Sequence, residues 1–362
     1  MLRAALTGFA ATGKTTLFQL MTAARDAARS HGRSDVTIGV SKVPDERLDR
    51  LTAMYNPRKR VPATIEFADV AATGTAQTLV DLAAYRNADA LVHVVRAFRD
   101  AAVAPPGGSV DPARDARAME DELILADLGV AEKRLERLER DLKKTRTADL
   151  ERERDLMIKC REALEGGTPL RAIGLGGVDA KRLRGFQFLS AKPLLVVINL
   201  DEADVREVGS DVTRAAAKTG LTDFMTHAAT RAVPLCARIE LEIAELEPTD
   251  ATAFLADLGL QTSGLDRVVR ATYDLLGYIS FFTVGEDECR AWSIPRGTHA
   301  QDAAGEIHSD IARGFIRAEV VAYDALIARG SMSACRDHGE VRLEGKEYIV
   351  RDGDIVNFRF AT

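Results

Sequence analysis

The octet Gly8-Phe9-Ala10-Ala11-Thr12-Gly13-Lys14-Thr15 constrains this chain more than any other stretch. Its pattern, GxxxxGK[ST], has a mechanical reason. Glycines let successive backbone N–H groups converge on a phosphate, the lysine reaches the β- and γ-phosphates, and the final hydroxyl binds Mg²⁺. The loop must follow a buried strand and open a helix. The apolar run of residues 2–7 and the helical spacing of Leu17, Phe18, Leu20, Met21 and Ala24 supply both.

Two further apolar runs, Ala90 to Val95 and Pro193 to Ile198, have the same buried-strand character, and a shorter one lies between Thr64 and Val70. Strands separated by helical stretches predict an α/β fold, a parallel sheet with helices on both faces. Asp69, at the end of its strand, is the second candidate Mg²⁺ ligand beside Thr15. In GTPases this acid begins DxxG; here Ala72 stands at the glycine position. Base selection is expected after residues 193–198. There Asn199-Leu200-Asp201-Glu202 replaces the guanine clamp NKxD, which predicts a loss of guanine preference. Asn199 and Glu202 also fit a helix-capping turn.

From Pro105 to Gly185 the chain changes character. Leu128, Leu135 and Leu142 are seven apart, as are Ala131 and Leu138, which predicts one or two antiparallel helices with a coiled-coil seam ended by Gly166-Gly167. From Tyr278 short β-type runs (280–284, 289–294, 341–343, 348–350 and 355–360) surround a helical stretch near Asp302–Arg313, with hairpin turns expected at 344–346 and 352–354. The expected domains are a nucleotide-binding domain (1–105 and 186–277), a helical insertion (106–185) and a C-terminal domain (278–362).

Composition narrows the remainder. A net charge of −6 gives no global attraction to nucleic acid, so DNA binding is not expected and RNA contact needs a local basic patch. Lys133, Arg134, Arg137, Arg140, Lys143, Lys144 and Arg146 form one candidate, interleaved with acids as on a solvated helix face. No apolar run has a membrane span's length, no signal peptide is apparent, and the four cysteines form no CxxC pair. A cytoplasmic protein with reduced thiols is expected.

These residues resemble the YchF/Obg-like ATPase family of P-loop proteins over essentially the whole chain. The likeness is strongest at Arg290–Pro295, Ile307–Asp310, Arg313–Glu319 and Glu344–Asp354, which look like that family's TGS domain, a β-grasp module. It extends to Val43–Leu48, Ala90–Phe98 and the NxxE motif at Asn199–Glu202. The resemblance implies an Obg-type G domain that binds ATP (or GTP) with Mg²⁺ and hydrolyses ATP slowly, and association with ribosomes or RNA through the TGS and helical domains. Carried over, the nucleotide site comprises Gly8, Ala11, Thr12, Gly13, Lys14, Thr15 and Thr16, with Asn199, Leu200 and Glu202 near the base. Cys236 and Ala237 stand in the last base-contacting loop, and His93 joins Lys14 as catalytic. Both switches depart from the family. Arg33 stands where a Mg²⁺-binding threonine belongs, with Ser34 or Thr37 as substitutes, and the stretch between Ala72 and Tyr85 is shortened. Two readings follow, a slow ATPase and a hydrolysis-deficient nucleotide-gated ribosome- or RNA-binding module. A small-molecule kinase is disfavoured by the TGS likeness.

Overall fold

The computed structural model describes residues 2–22, 36–70, 85–105 and 107–361. The positions Arg33, Ser34 and Ala72 singled out above lie outside the described residues. Contacts divide the chain into two compact units, Leu2–Val40 with Glu66–Leu275, and Ser41–Ile65 with Leu276–Thr362.

The first unit is built on a sheet whose strands are β1 (Leu2–Thr7), β2 (Val36–Lys42), β4 (Thr64–Val70), β5 (Ala90–Arg96), β6 (Leu194–Asn199) and β7 (Thr230–Leu235), in the order β2-β4-β1-β5-β6-β7. The pairs β1·β5, β5·β6 and β6·β7 are parallel. β5 and β6 are buried along their whole lengths, which is why they read as unbroken apolar runs rather than as alternation. Parallel pairing in register places the C-terminal ends of β1, β5, β6 and β7 side by side. Ligands of open α/β sheets bind at that edge.

The helical insertion is a pair of helices, α3 (Pro112–Lys144) and α4 (Ala148–Glu165), with α1 (Lys14–Thr22) and α2 (Glu46–Tyr55) preceding them in the chain. Asp111 caps α3 by accepting from Arg114 N, Pro112 occupies the first turn, and Thr147 caps α4 after a turn at Thr145-Arg146. Ala131, Leu135 and Leu138 are buried against Leu156, Met157, Cys160 and Leu164, so the heptad seam is observed. Arg134 is spent across the pair on Glu153 (2.7 Å) and Arg146 on Glu151 (2.6 Å). The root of α3 is tied to the sheet by buried acids. Asp127 accepts Leu189 N and Ser190 N at 2.8 and 2.7 Å, and Glu120 forms an ion pair with Arg171, whose side chain is 1% exposed.

The second unit is a mixed sheet of β3 (Lys59–Val61), β8 (Tyr278–Thr283), β9 (Glu288–Pro295), β10 (Phe315–Ala322), β11 (Arg342–Glu344) and β12 (Asp354–Phe360), ordered β11-β10-β12-β8-β9-β3. The helix Ala300–Ile307 buries Ala300, Ala303 and Ala304 on a core of Ile279, Phe281, Ile294, Val320 and Phe358. Three sequence expectations need correction here. The turn 344–346 does not close a hairpin, because β10 lies between β11 and β12. Residues 348–350 form no strand; Ile349 makes only an isolated bridge with His299. The helical stretch near 302–313 is two helices broken at His308.

Segment 41–65, assigned above to the nucleotide-binding half, packs instead with the C-terminal sheet. β3 pairs in parallel with β9, and α2 buries Leu48 and Leu51 completely. Arg47 fixes the join. It lies 5.2 Å over the Phe282 ring and is bonded to Asp45 (2.8 Å) and Asp352 (2.9 Å).

Candidate nucleotide site

The loop of residues 8–13 leaves the end of β1 and runs into α1 in the first unit. It turns tightly enough to require three positive φ angles, at Gly8 (135°), Ala11 (58°) and Gly13 (95°). A Cβ on Gly8 would stand 2.5 Å from Val94 O and one on Gly13 2.6 Å from Asn199 Nδ2, so both glycines are enforced by close approach as well as by φ.

The loop's carbonyls are held by side chains. Lys14 Nζ donates to Gly8 O (2.6 Å) and Phe9 O (2.7 Å), and Thr12 Oγ1 donates to Phe9 O (3.1 Å). Asn199 Nδ2 donates to Thr12 O at 2.9 Å, while Asn199 Oδ1 accepts from Ala237 N at 2.9 Å. Asn199 therefore braces the loop against the segment after β7. Its register partner Leu235 sets that meeting, which brings Cys236 and Ala237 to the same edge.

Burial lowers the pKa of Lys14 to about 8, against the opposing pull of Asp69. A phosphate held by Lys14 would favour the ammonium, and the free protein would then have to take up a proton to bind it once pH exceeds that value. ADP affinity is expected to be flat below pH 8 and to fall by up to about tenfold per pH unit above it. Calorimetric titration between pH 7 and pH 9.5 checks this; constant affinity throughout contradicts it.

Thr15 Oγ1 donates to Asp69 Oδ2 at 2.8 Å, and Asp69 Oδ1, though buried, has no hydrogen-bond partner among the described residues. A hydroxyl beside a carboxylate with one unspent oxygen suits Mg²⁺, which takes one or two protein ligands with phosphate and water oxygens. Among the described residues no group of three or more His, Cys, Asp or Glu is placed to hold a metal on its own. All four cysteines are free and buried.

His93 sits inside the sheet, paired in register with Thr7 and Val196 and 1% exposed. Burial first, then the charges of Lys14 and Arg171, push its pKa down to about 3, so the imidazole is neutral. Glu202 begins a helix and pairs its exposed carboxylate with Arg206 at 2.9 Å, while Asp201 before it accepts from Arg99 N rather than capping that helix. Leu200 is buried beside it, and Thr16 is half-buried in the first turn of α1.

The sequence reading passed over Arg96. This last residue of β5 is 1% exposed and donates to Ala11 O (3.3 Å), Phe98 O (3.2 Å) and Val103 O (2.8 Å). A cation closing an unbroken apolar run, with an aromatic two residues on, is the signal that marked it.

The parallel sheet and its glycine-bounded loop define a P-loop nucleotide-binding protein of G-domain type. The family model described as "YchF-GTPase_C: Protein of unknown function (DUF933)" matches residues 278–361. "Ribosome-binding ATPase YchF" of Bacillus subtilis (strain 168) is 40% identical, with 99% of each chain covered. "Obg-like ATPase 1" of Oryza sativa subsp. japonica is 32% identical over 99% of this chain and 92% of that one. The solved Schizosaccharomyces pombe YchF GTPase superposes with a TM-score of 0.85 at 28% identity, covering 99% of this chain and 97% of its own. The chain belongs to the YchF family.

Proposed function

We propose that this protein is a ribosome-associated ATPase that binds ATP with Mg²⁺ at residues 8–16 and hydrolyses it slowly. The observation that carries the reading is the conjunction at the loop: Lys14 gathered onto it, and Thr15 bonded to an Asp69 with one buried oxygen unspent. The names of the curated relatives, ribosome-binding ATPases, support the activity and the partner.

In this reading Lys14 leaves the Gly8 and Phe9 carbonyls for the β- and γ-phosphates, and the loop N–H groups receive the β-phosphate. Thr15 and Asp69 hold the metal, which when bound neutralises the charge that develops on the transferring phosphoryl oxygens. Adenine is preferred to guanine because the segment 199–202 lacks the lysine and the shorter acid of the guanine clamp, with Leu200, Glu202, Cys236 and Ala237 around the base. Ribosomal RNA is met by the arm, where Lys133, Arg137, Arg140, Lys143 and Lys144 are exposed, and by the C-terminal, TGS-like domain. We place the protein in the cytoplasm; among the described residues no helix is long and apolar enough to cross a membrane.

A hydrolysis-deficient nucleotide-gated module is the second reading, favoured by the burial and neutrality of His93, the one histidine proposed for catalysis. Phosphate release from ATP and from GTP, with and without ribosomes, separates the two. Release exceeding that of a Lys14→Ala control supports the enzyme. Tight ATP binding with no lysine-dependent release supports the module. ADP is expected to bind more tightly than GDP; equal or reversed affinities refute the adenine reading.

A further inference from the structure

Two neighbouring strands end on side chains that seize consecutive carbonyls of the phosphate loop. Arg96 and Asn199 are register partners at the ends of β5 and β6. Arg96 takes the carbonyl of Ala11 and Asn199 that of Thr12. Every described peptide bond is trans. In a planar trans peptide the N–H points opposite to the C=O. Pinning Ala11 O therefore turns the Thr12 N–H away from Arg96, and pinning Thr12 O turns the Gly13 N–H away from Asn199. Successive N–H groups fixed in this manner form an anion-binding concavity.

Arg96 is unusual in a second respect. Its guanidinium is buried, stacked 4.5 Å over the Phe98 ring, and among the described residues bonded only to backbone carbonyls. Among the described residues no carboxylate pairs with it. A buried cation without a counter-ion is costly on its own account. Here it lies directly behind the loop that receives phosphate.

We propose that Arg96 is a positioning residue for the nucleotide β-phosphate, orienting the Ala11–Thr12 peptide and supplying an uncompensated positive charge behind it. The proposal rests on the nucleotide-binding reading of the loop. The contribution is specific to the phosphate seated in the loop, so it distinguishes ADP from AMP, whereas a role in general folding weakens both nucleotides alike.

The test is calorimetric titration of ADP and AMP into the full-length protein and its Arg96→Met and Arg96→Lys variants, with circular dichroism to verify folding. The wild type binding ADP at all establishes the underlying reading, and its failure to bind overturns that reading independently of Arg96. Arg96→Met is expected to lower the ratio of ADP to AMP affinity by about tenfold or more. Arg96→Lys, which keeps the charge but not the forked donors, is expected to fall between wild type and Met. A ratio within twofold of the wild type in Arg96→Met overturns the assignment. Should that variant not fold, a wild-type ratio in Arg96→Lys overturns it equally.

Discussion

Exchanging Lys14 for alanine is expected to weaken ATP and ADP binding by at least about a hundredfold, the equivalent of losing charge-assisted contacts to two phosphates. The ammonium is the only side chain of the loop that delivers a full positive charge, and it is already anchored at Gly8 and Phe9, within the turn proposed to receive the phosphates. Its loss takes one donor from Gly8 O, while Phe9 O keeps the Thr12 hydroxyl, so the fold is expected to persist by circular dichroism. AMP affinity is expected to change less, because the lysine is assigned to the outer phosphates. An ADP affinity within threefold of the wild type would remove the loop from the nucleotide site.

The second large effect concerns stability rather than binding. Arg171→Met is expected to destabilise the first unit by about 3–5 kcal/mol, the usual result of leaving one partner of a buried ion pair uncompensated. Glu120, 5% exposed, is then left facing the His227 ring, its Nδ1 3.4 Å away. Arg171 also donates to Thr230 Oγ1 at 3.0 Å at the entry to β7, so the loss extends to the sheet. The double variant Glu120→Leu/Arg171→Met is expected to regain most of the stability, since neither charge then needs solvation. Urea unfolding followed at 222 nm measures both; a single variant as stable as wild type shows that water reaches Glu120.

Much of the first unit was legible in the chain. The loop could be read because its chemistry demands particular residues at particular positions. β5 and β6 could be read because strands covered on both faces are apolar along most of their length, here interrupted only by His93 and ended by Arg96 and Asn199. The arm followed from the seven-residue spacing of Leu128, Leu135 and Leu142 and of Ala131 and Leu138. The second unit was harder for a physical reason. β10 lies between β11 and β12, and its outward face carries Arg317 and Glu319, so its local pattern resembles a polar loop. The pairing that decides its fate is with residues far along the chain. Segment 41–65 failed for the same cause: nothing local in Lys59–Val61 says that its partner is β9. Asn199 was singled out for base selection, and its observed contacts are to the loop and to Ala237. His93 was placed correctly on its strand, while its complete burial depends on neighbours that a single strand does not reveal.

The excursion of residues 41–65 also bears on how the chain is made. Synthesis proceeds from the N-terminus, so α2 and β3 emerge long before β9, the strand they pack and pair with. Until residues 288–295 exist, α2 lacks the strand it packs against, and the pairing edge of β3 stays open. A chain that stops early therefore displays an uncovered amphipathic helix near its beginning, the kind of surface that chaperones and proteases recognise.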